Sequence, residues 1–278
     1  MDIILTGIAR SGTTLTCFLL NKLPQAVALH EPMNPADLVG LGYPEQYLER
    51  VTAFFSTQRS SLLEAGTAIS KARDGRVPEN PFGVAVGESG LRASTVGSES
   101  VAFGKELQTG FRLVVKHPNV FTATLPALLT RFPCFAVIRN PLAVLLSWQT
   151  IQAPVNRGRL PFGEAFDPAL EAALADESDR VARQLVILRW YFSRYASMLP
   201  RDHVLRYEEI VASGGRVLAV IDPDAASLGE PLESRNRSAL YDADLVNGLA
   251  ERLLADEGIY DAFYPRSAVE SLRDEWLG

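Results

Sequence analysis

Short apolar runs recur along the chain, each closed by a polar or turn residue: "IILT" (3–6), "AVALH" (26–30), "FRLVVKH" (111–117), "CFAVIR" (134–139) and "HVLRY" (203–207). Runs this short and this uninterrupted predict strands buried on both faces, as in a parallel sheet. Helical segments lie between them. "TLTCFLLNKL" (14–23) predicts a helix stopped by Pro24, and "VFTATLPALLTRF" (120–132) predicts a second. "NPLAVLLSW" (140–148) starts a third, with Pro141 in its first turn. Residues 168–199 predict one long helix or two shorter ones. Strands alternating with helices give an α/β expectation: a central parallel sheet of about five strands flanked by helices.

Residues 32–110 break the rhythm. "GVAVGESGLRASTVGSESVAFGKELQTG" is rich in Gly and Ser and shows no long period, which predicts an irregular or hairpin-containing insertion over the sheet edge. The 278 residues, 47% of them hydrophobic, suit a single domain over 1–278 carrying that insertion.

Charge narrows the partners. The net charge is −6 and the pI about 5.2, so no polyanion-binding surface and no nucleic acid partner is expected. The insertion itself is balanced, with nine acidic and seven basic residues. The longest apolar stretch, "RQLVILRWYFSRYASML", is interrupted by arginines, so no membrane span is expected. "MDIILTGIARSG" lacks the basic start and long apolar core of a signal peptide, which gives a soluble, cytoplasmic expectation. Cys17 and Cys134 read as reduced core cysteines. With His30, His117 and His203 they make no metal-ligand spacing, so no metal is expected.

The chemistry concentrates in two motifs. "GIARSGTTL" (7–15) follows the first strand with the frame of a phosphate-binding loop, G-x-x-x-x-G and then two hydroxyl residues. Thr13 stands where a nucleoside triphosphatase carries its lysine, and the strand ends offer no convincing acidic metal partner. The loop amides from Ser11 through Gly12, Thr13 and Thr14 to Leu15 still head a predicted helix, which favours an anion. The second motif is "VIRNPLAVLLSW". Arg139 ends a strand and Ser147 lies in the second turn of the next helix, so both reach the carboxyl edge of the sheet and can hold a second phosphate.

Together these motifs resemble the sulfotransferases that use 3′-phosphoadenosine 5′-phosphosulfate (PAPS). "IARSGTTL" looks like their 5′-phosphosulfate loop and "VIRNPLAVLLSW" like their 3′-phosphate motif. "LVVKHP" and "VLRYEEI" resemble further strand ends of the bacterial and Golgi-type branch. The match covers about 3–31 and 111–210, in the family's order. It implies a P-loop-like three-layer α/β fold, PAPS as co-substrate, adenosine 3′,5′-bisphosphate as product, no metal, and a hydroxyl acceptor on a small molecule, sugar or lipid. The insertion at 32–110 then belongs on the acceptor side. A P-loop small-molecule kinase and a catalytically inactive nucleotide-binding protein are the alternatives.

In-line sulfuryl transfer needs cations on the leaving oxygen and a base for the acceptor's proton. Arg10 and, by resemblance, Lys116 suit the first role. Glu31, at the end of the strand after the loop, suits the second, and His30 competes with it. Adjacent strand residues point to opposite faces, so only one of that pair is expected to face the loop. Tyr207 is expected near the nucleotide. Ser234, Arg235 and Arg237 lie where the family closes a loop over the adenosine and 3′-phosphate. His117, Trp148 and Trp190 are expected in the core, and Arg157 and Arg159 in a solvated loop.

Overall fold

The structure is a computed structural model that describes every residue except Ala85, Ser89, Glu257, Ile259 and Gly278. Strand β1 (Asp2–Gly7) leads into α1 (Thr13–Leu20) and then β2 (Ala26–His30). Helix α2 (Glu45–Ala65), β3 (Thr67–Ala72) and β4 (Gly97–Ala102) follow, then β5 (Arg112–Lys116), the short α3 (Pro118–Ala123) and α4 (Leu125–Leu128), and β6 (Cys134–Ile138). Next come α5 (Pro141–Gln149), α6 (Pro161–Glu164), α7 (Pro168–Asp176), α8 (Arg180–Met198), β7 (Val204–Arg206), α9 (Tyr207–Ala212), α10 (Ala243–Ala255) and α11 (Arg266–Leu277).

Five strands form one parallel sheet in the order β2-β5-β1-β6-β7. Strand residues alternate between two cores. Ile4, Val27, Leu29, Leu113, Val115 and Ala136 face one side with α2, α5, α8 and α10. Ile3, Leu5, Ala28, Val114, Phe135 and Val137 face the other with α1 and α9. Both faces are covered, which is why the strands are continuous apolar runs. The chain leaves β1 toward one edge of the sheet and β6 toward the other. That divergence opens a crevice at their carboxyl ends, where α/β sheets place ligands.

Three expectations change. The helix expected over 120–132 is divided into α3 and α4, because Pro126 lacks the amide that would continue the first. α1 stops at Leu20, and the Asn21 side chain turns back to bond both backbone groups of Ala28. The segment 32–110 is less irregular than its composition suggests. It contains the 21-residue α2, which buries Tyr47, Val51, Phe55, Gln58 and Leu62 on one stripe, and the antiparallel pair β3–β4. Residues 168–199 form the two-helix alternative, α7 and α8.

Candidate functional site

The loop after β1 is shaped by close backbone packing. At Gly7 an added Cβ would lie 2.4 Å from the Val137 carbonyl oxygen, so no other residue fits without moving β6. Gly12, at φ 96°, caps α1, and a Cβ there would meet the Tyr207 ring at 2.7 Å. Between them Arg10 sits at φ 75°, a left-handed conformation that non-glycine residues rarely adopt. Trp148, buried as expected, also holds the loop: its indole N–H donates to the Ala9 carbonyl at 2.8 Å. The amides of Thr13, Thr14 and Leu15 head α1 without intrahelical acceptors. Ser11 does not join them. Its amide donates to Ile8 O at 3.0 Å and its hydroxyl to Val137 O at 2.6 Å, so both of its donors are spent inside the turn.

Arg139 lies just beyond β6, and Asn140 starts α5 by accepting the amides of Leu142 and Ala143. The Arg139 guanidinium rests on the Tyr207 ring, 4.5 Å from its centroid. Its nitrogens donate to Arg10 O, to Asn236 Oδ1 and to the Arg235 carbonyl. Ser147 projects from the second turn of α5 and accepts from Arg10 Nε at 3.3 Å. The Arg10 guanidinium also lies 4.6 Å from the Phe82 ring centroid. Among the described residues no carboxylate pairs with Arg10, Arg92 or Arg139. Burial, then Arg139 and Arg92, push the Arg10 pKa down to about 9, and it stays charged at neutral pH.

The strand ends of β2 and β5 build the other half. Lys116 Nζ and Lys71 Nζ each lie 2.8 Å from a Glu31 carboxylate oxygen, and His30 Nε2 lies 3.5 Å away. Lys116 is nearly buried, at 3% side-chain exposure, and Lys71 is 39% exposed. Burial alone would raise the Glu31 pKa. Lys116, His30 and Lys71 outweigh it and hold the carboxyl well below the usual range. Burial and Lys116 lower the His30 pKa despite Glu31, and its Nδ1 has no partner among the described residues. The expectation that only one of His30 and Glu31 faces the loop fails, because both line the cavity. β2 ends at His30 and Glu31 turns to φ 44°, so strand alternation no longer applies to it. His117 is structural, as expected: it is buried, and its Nε2 accepts from the Met33 amide at 3.1 Å.

These groups line one cavity of about 660 Å³, within the usual range for small-molecule sites. Among the described residues its walls carry seven cationic side chains (Arg10, Lys71, Arg92, Lys116, Arg139, Arg235 and Arg237) and three carboxylates (Glu31, Glu79 and Glu233). The walls thus carry four excess positive charges in a chain of net charge −6, a local field that attracts anions. Tyr207, Arg235 and Arg237 line it, whereas Ser234 does not: it lines a smaller recess beside Asn140 and Ala268. Arg157 and Arg159 are not brought to the cavity either, and Arg159 pairs with the buried Glu164.

Several wall residues are not evident from the motifs. Lys71, Phe82 and Arg92 come from the 66–110 segment, and Asn119 is held by the Tyr191 hydroxyl. Glu208 of "YEEI" accepts from Asn140 N, Asn236 Nδ2 and the Tyr264 hydroxyl, which ties the start of α5 to the 231–241 segment.

No protein-family model matches the chain, and no curated protein does. Three solved structures similar to it are sulfotransferases. That of Alicyclobacillus acidocaldarius aligns with TM-score 0.43 and 15% identity over 99% of this chain and 98% of its own. STF9 of Mycobacterium avium gives 0.36 and 15% over 99% and 76%. The sulfotransferase domain of the Synechococcus PCC 7002 olefin synthase gives 0.35 and 14% over 100% and 94%.

Proposed function

We propose that the protein is a sulfotransferase that moves the sulfuryl group of PAPS to a hydroxyl of a small-molecule, sugar or lipid acceptor. One observation carries the reading: Arg10 and Arg139 meet in a cavity with no carboxylate paired to either among the described residues, beside a helix N-terminus and opposite a carboxylate held by lysines. Buried cations without counter-charges are costly unless an anion completes the site. A nucleotide with separate 3′ and 5′ anionic groups brings about four negative charges, taking a phosphate monoester as near two. That matches the excess of four positive charges on the walls.

The roles follow from position. The amides of Thr13 to Leu15 and the Arg10 guanidinium receive the 5′ group, and Arg139 and Ser147 receive the 3′-phosphate. The acceptor oxygen attacks sulfur in line. The new O–S bond forms as the bond to the bridging phosphate oxygen breaks, and that oxygen keeps the electron pair and leaves with adenosine 3′,5′-bisphosphate. Arg10 and Lys116 stabilise the charge that develops there. Glu31 takes the acceptor's proton.

Lys116 serves both halves of the reaction. In the free protein its ammonium neutralises Glu31. With a phosphosulfate on the loop it has a second anion to hold, and as it turns to that anion the proton affinity of Glu31 rises.

Calorimetry with adenosine 3′,5′-bisphosphate tests the donor, and a PAPS-dependent screen of acceptor pools for a sulfate mass shift tests the transfer. Tight binding that survives EDTA is the expected result. Tighter binding of ATP, and only with Mg²⁺, would replace this reading with a kinase.

A further inference from the structure

The 66–110 segment approaches the cavity at an unexpected place. Arg92 docks on the chain just after α5 through two backbone hydrogen bonds, from its own amide to Thr150 O at 3.0 Å and from the Gln152 amide to its carbonyl at 2.9 Å. Its Nη2 donates to Thr150 Oγ1 at 2.7 Å. Thr150 lies three residues after Ser147, and its hydroxyl in turn donates to the Ser147 carbonyl at 3.0 Å. Backbone and side chain thus fix the Arg92 guanidinium beside the Ser147 end of α5.

Among the described residues no carboxylate pairs with it. Arg92 Nε is buried and has no hydrogen-bond partner among the described residues. The titratable groups beside it are the Tyr241 phenol and two cations, Arg235 and Arg10. A guanidinium held on a cavity wall with no carboxylate partner among the described residues is placed to take a bound anion.

We propose that Arg92 is a second guanidinium on the phosphate held by Arg139 and Ser147, so the inserted segment reads the donor as well as facing the acceptor. The inference rests on the sulfotransferase reading for the identity of that phosphate. Arg92 lines the cavity, and its guanidinium offers a phosphate oxygen the outward N–H groups while Thr150 keeps hold of Nη2, which gives the segment a role on the donor side of the cavity.

The test compares adenosine 3′,5′-bisphosphate with adenosine 5′-phosphate by calorimetry, on the wild-type protein and on Arg92→Gln. The ligands differ only by the 3′-phosphate. Arg92→Gln is expected to weaken the bisphosphate by roughly tenfold to a hundredfold, the worth of a charged hydrogen bond. It should change the monophosphate less than about threefold on the same basis. A merely structural Arg92 would loosen the segment and weaken both ligands alike, which overturns the proposal. An unchanged bisphosphate affinity overturns it too, whether or not acceptor KM rises. A wild-type protein with no preference for the bisphosphate would instead sink the sulfotransferase reading itself, before Arg92 is considered.

Discussion

Replacing Glu31 by glutamine removes one negative charge from between two lysines while keeping the side chain's shape. The two ion pairs are equally short, each 2.8 Å, but differ in exposure. Lys71 is 39% exposed, so its pair is worth about 0–1 kcal/mol. Lys116 is 3% exposed, and loss of Glu31 strands its ammonium. Breaking a fully buried pair costs about 3–5 kcal/mol. Glu31 itself is 26% exposed, and water reaching it lowers that figure to about 2–3 kcal/mol. Glu31→Gln should therefore lose about 2–3 kcal/mol of stability, and adding Lys116→Met should restore much of it. Urea unfolding of the two double-mutant cycles measures this, with a coupling of about 2 kcal/mol expected for Lys116 and under about 1 kcal/mol for Lys71.

The pH dependence gives an independent check. A carboxyl with a depressed folded pKa contributes stability that is present above its unfolded pKa, about 4.3, and lost as pH falls through the folded value. The gap between wild type and Glu31→Gln should hold steady from about pH 8 to 5 and narrow only below about 4. A gap that already shrinks between about pH 7 and 5, or a Lys71 coupling as large as that of Lys116, would refute the reasoning. In turnover, Glu31→Gln should lower kcat by roughly 10²–10⁴, while bisphosphate affinity should hold or rise, because Lys116 is freed for the anion.

Lys71→Met removes one of the cations that depress Glu31, so the acid limb of the kcat pH profile should move upward while donor affinity stays put; an unmoved limb would leave Lys71 as surface decoration. Arg139→Ala should weaken adenosine 3′,5′-bisphosphate by about 1.5–3 kcal/mol and adenosine 5′-phosphate far less, as calorimetry will show. Gly12→Ala places a Cβ 2.7 Å from the Tyr207 ring at φ 96°, so urea unfolding should show a loss of at least about 1–3 kcal/mol, with bisphosphate affinity falling alongside. Arg10→Met should abolish tight bisphosphate binding yet leave thermal stability unchanged or raised, because it relieves a half-buried cation crowded by Arg139 and Arg92.

Features that depend on neighbouring residues are legible along the chain. Unbroken apolar runs mark all five strands of the parallel sheet, because burial on both faces requires them, and the glycines of "GIARSGTTL" mark the turn that follows β1. The spacing of Arg139 and Ser147 places both at one strand–helix junction, and the structure puts both on the cavity wall. Even α2 has its signal: Tyr47, Val51, Phe55 and Leu62 recur at helical spacing and form its buried stripe, but the Gly and Ser content of residues further along masks it. Features that depend on residues distant in the chain come only from long-range packing. Lys71 reaches Glu31 across 40 positions and Arg92 reaches Thr150 across 58, through the packing of β3 and the docking of one backbone on another. Ser11 carries the right hydroxyl in the right motif, yet the carbonyl of Val137 on the neighbouring strand claims it. Glu31 and His30 share the cavity because Glu31 leaves the strand conformation, with its amide bonded to Lys116 O on the neighbouring strand, and the period of its own segment does not show this.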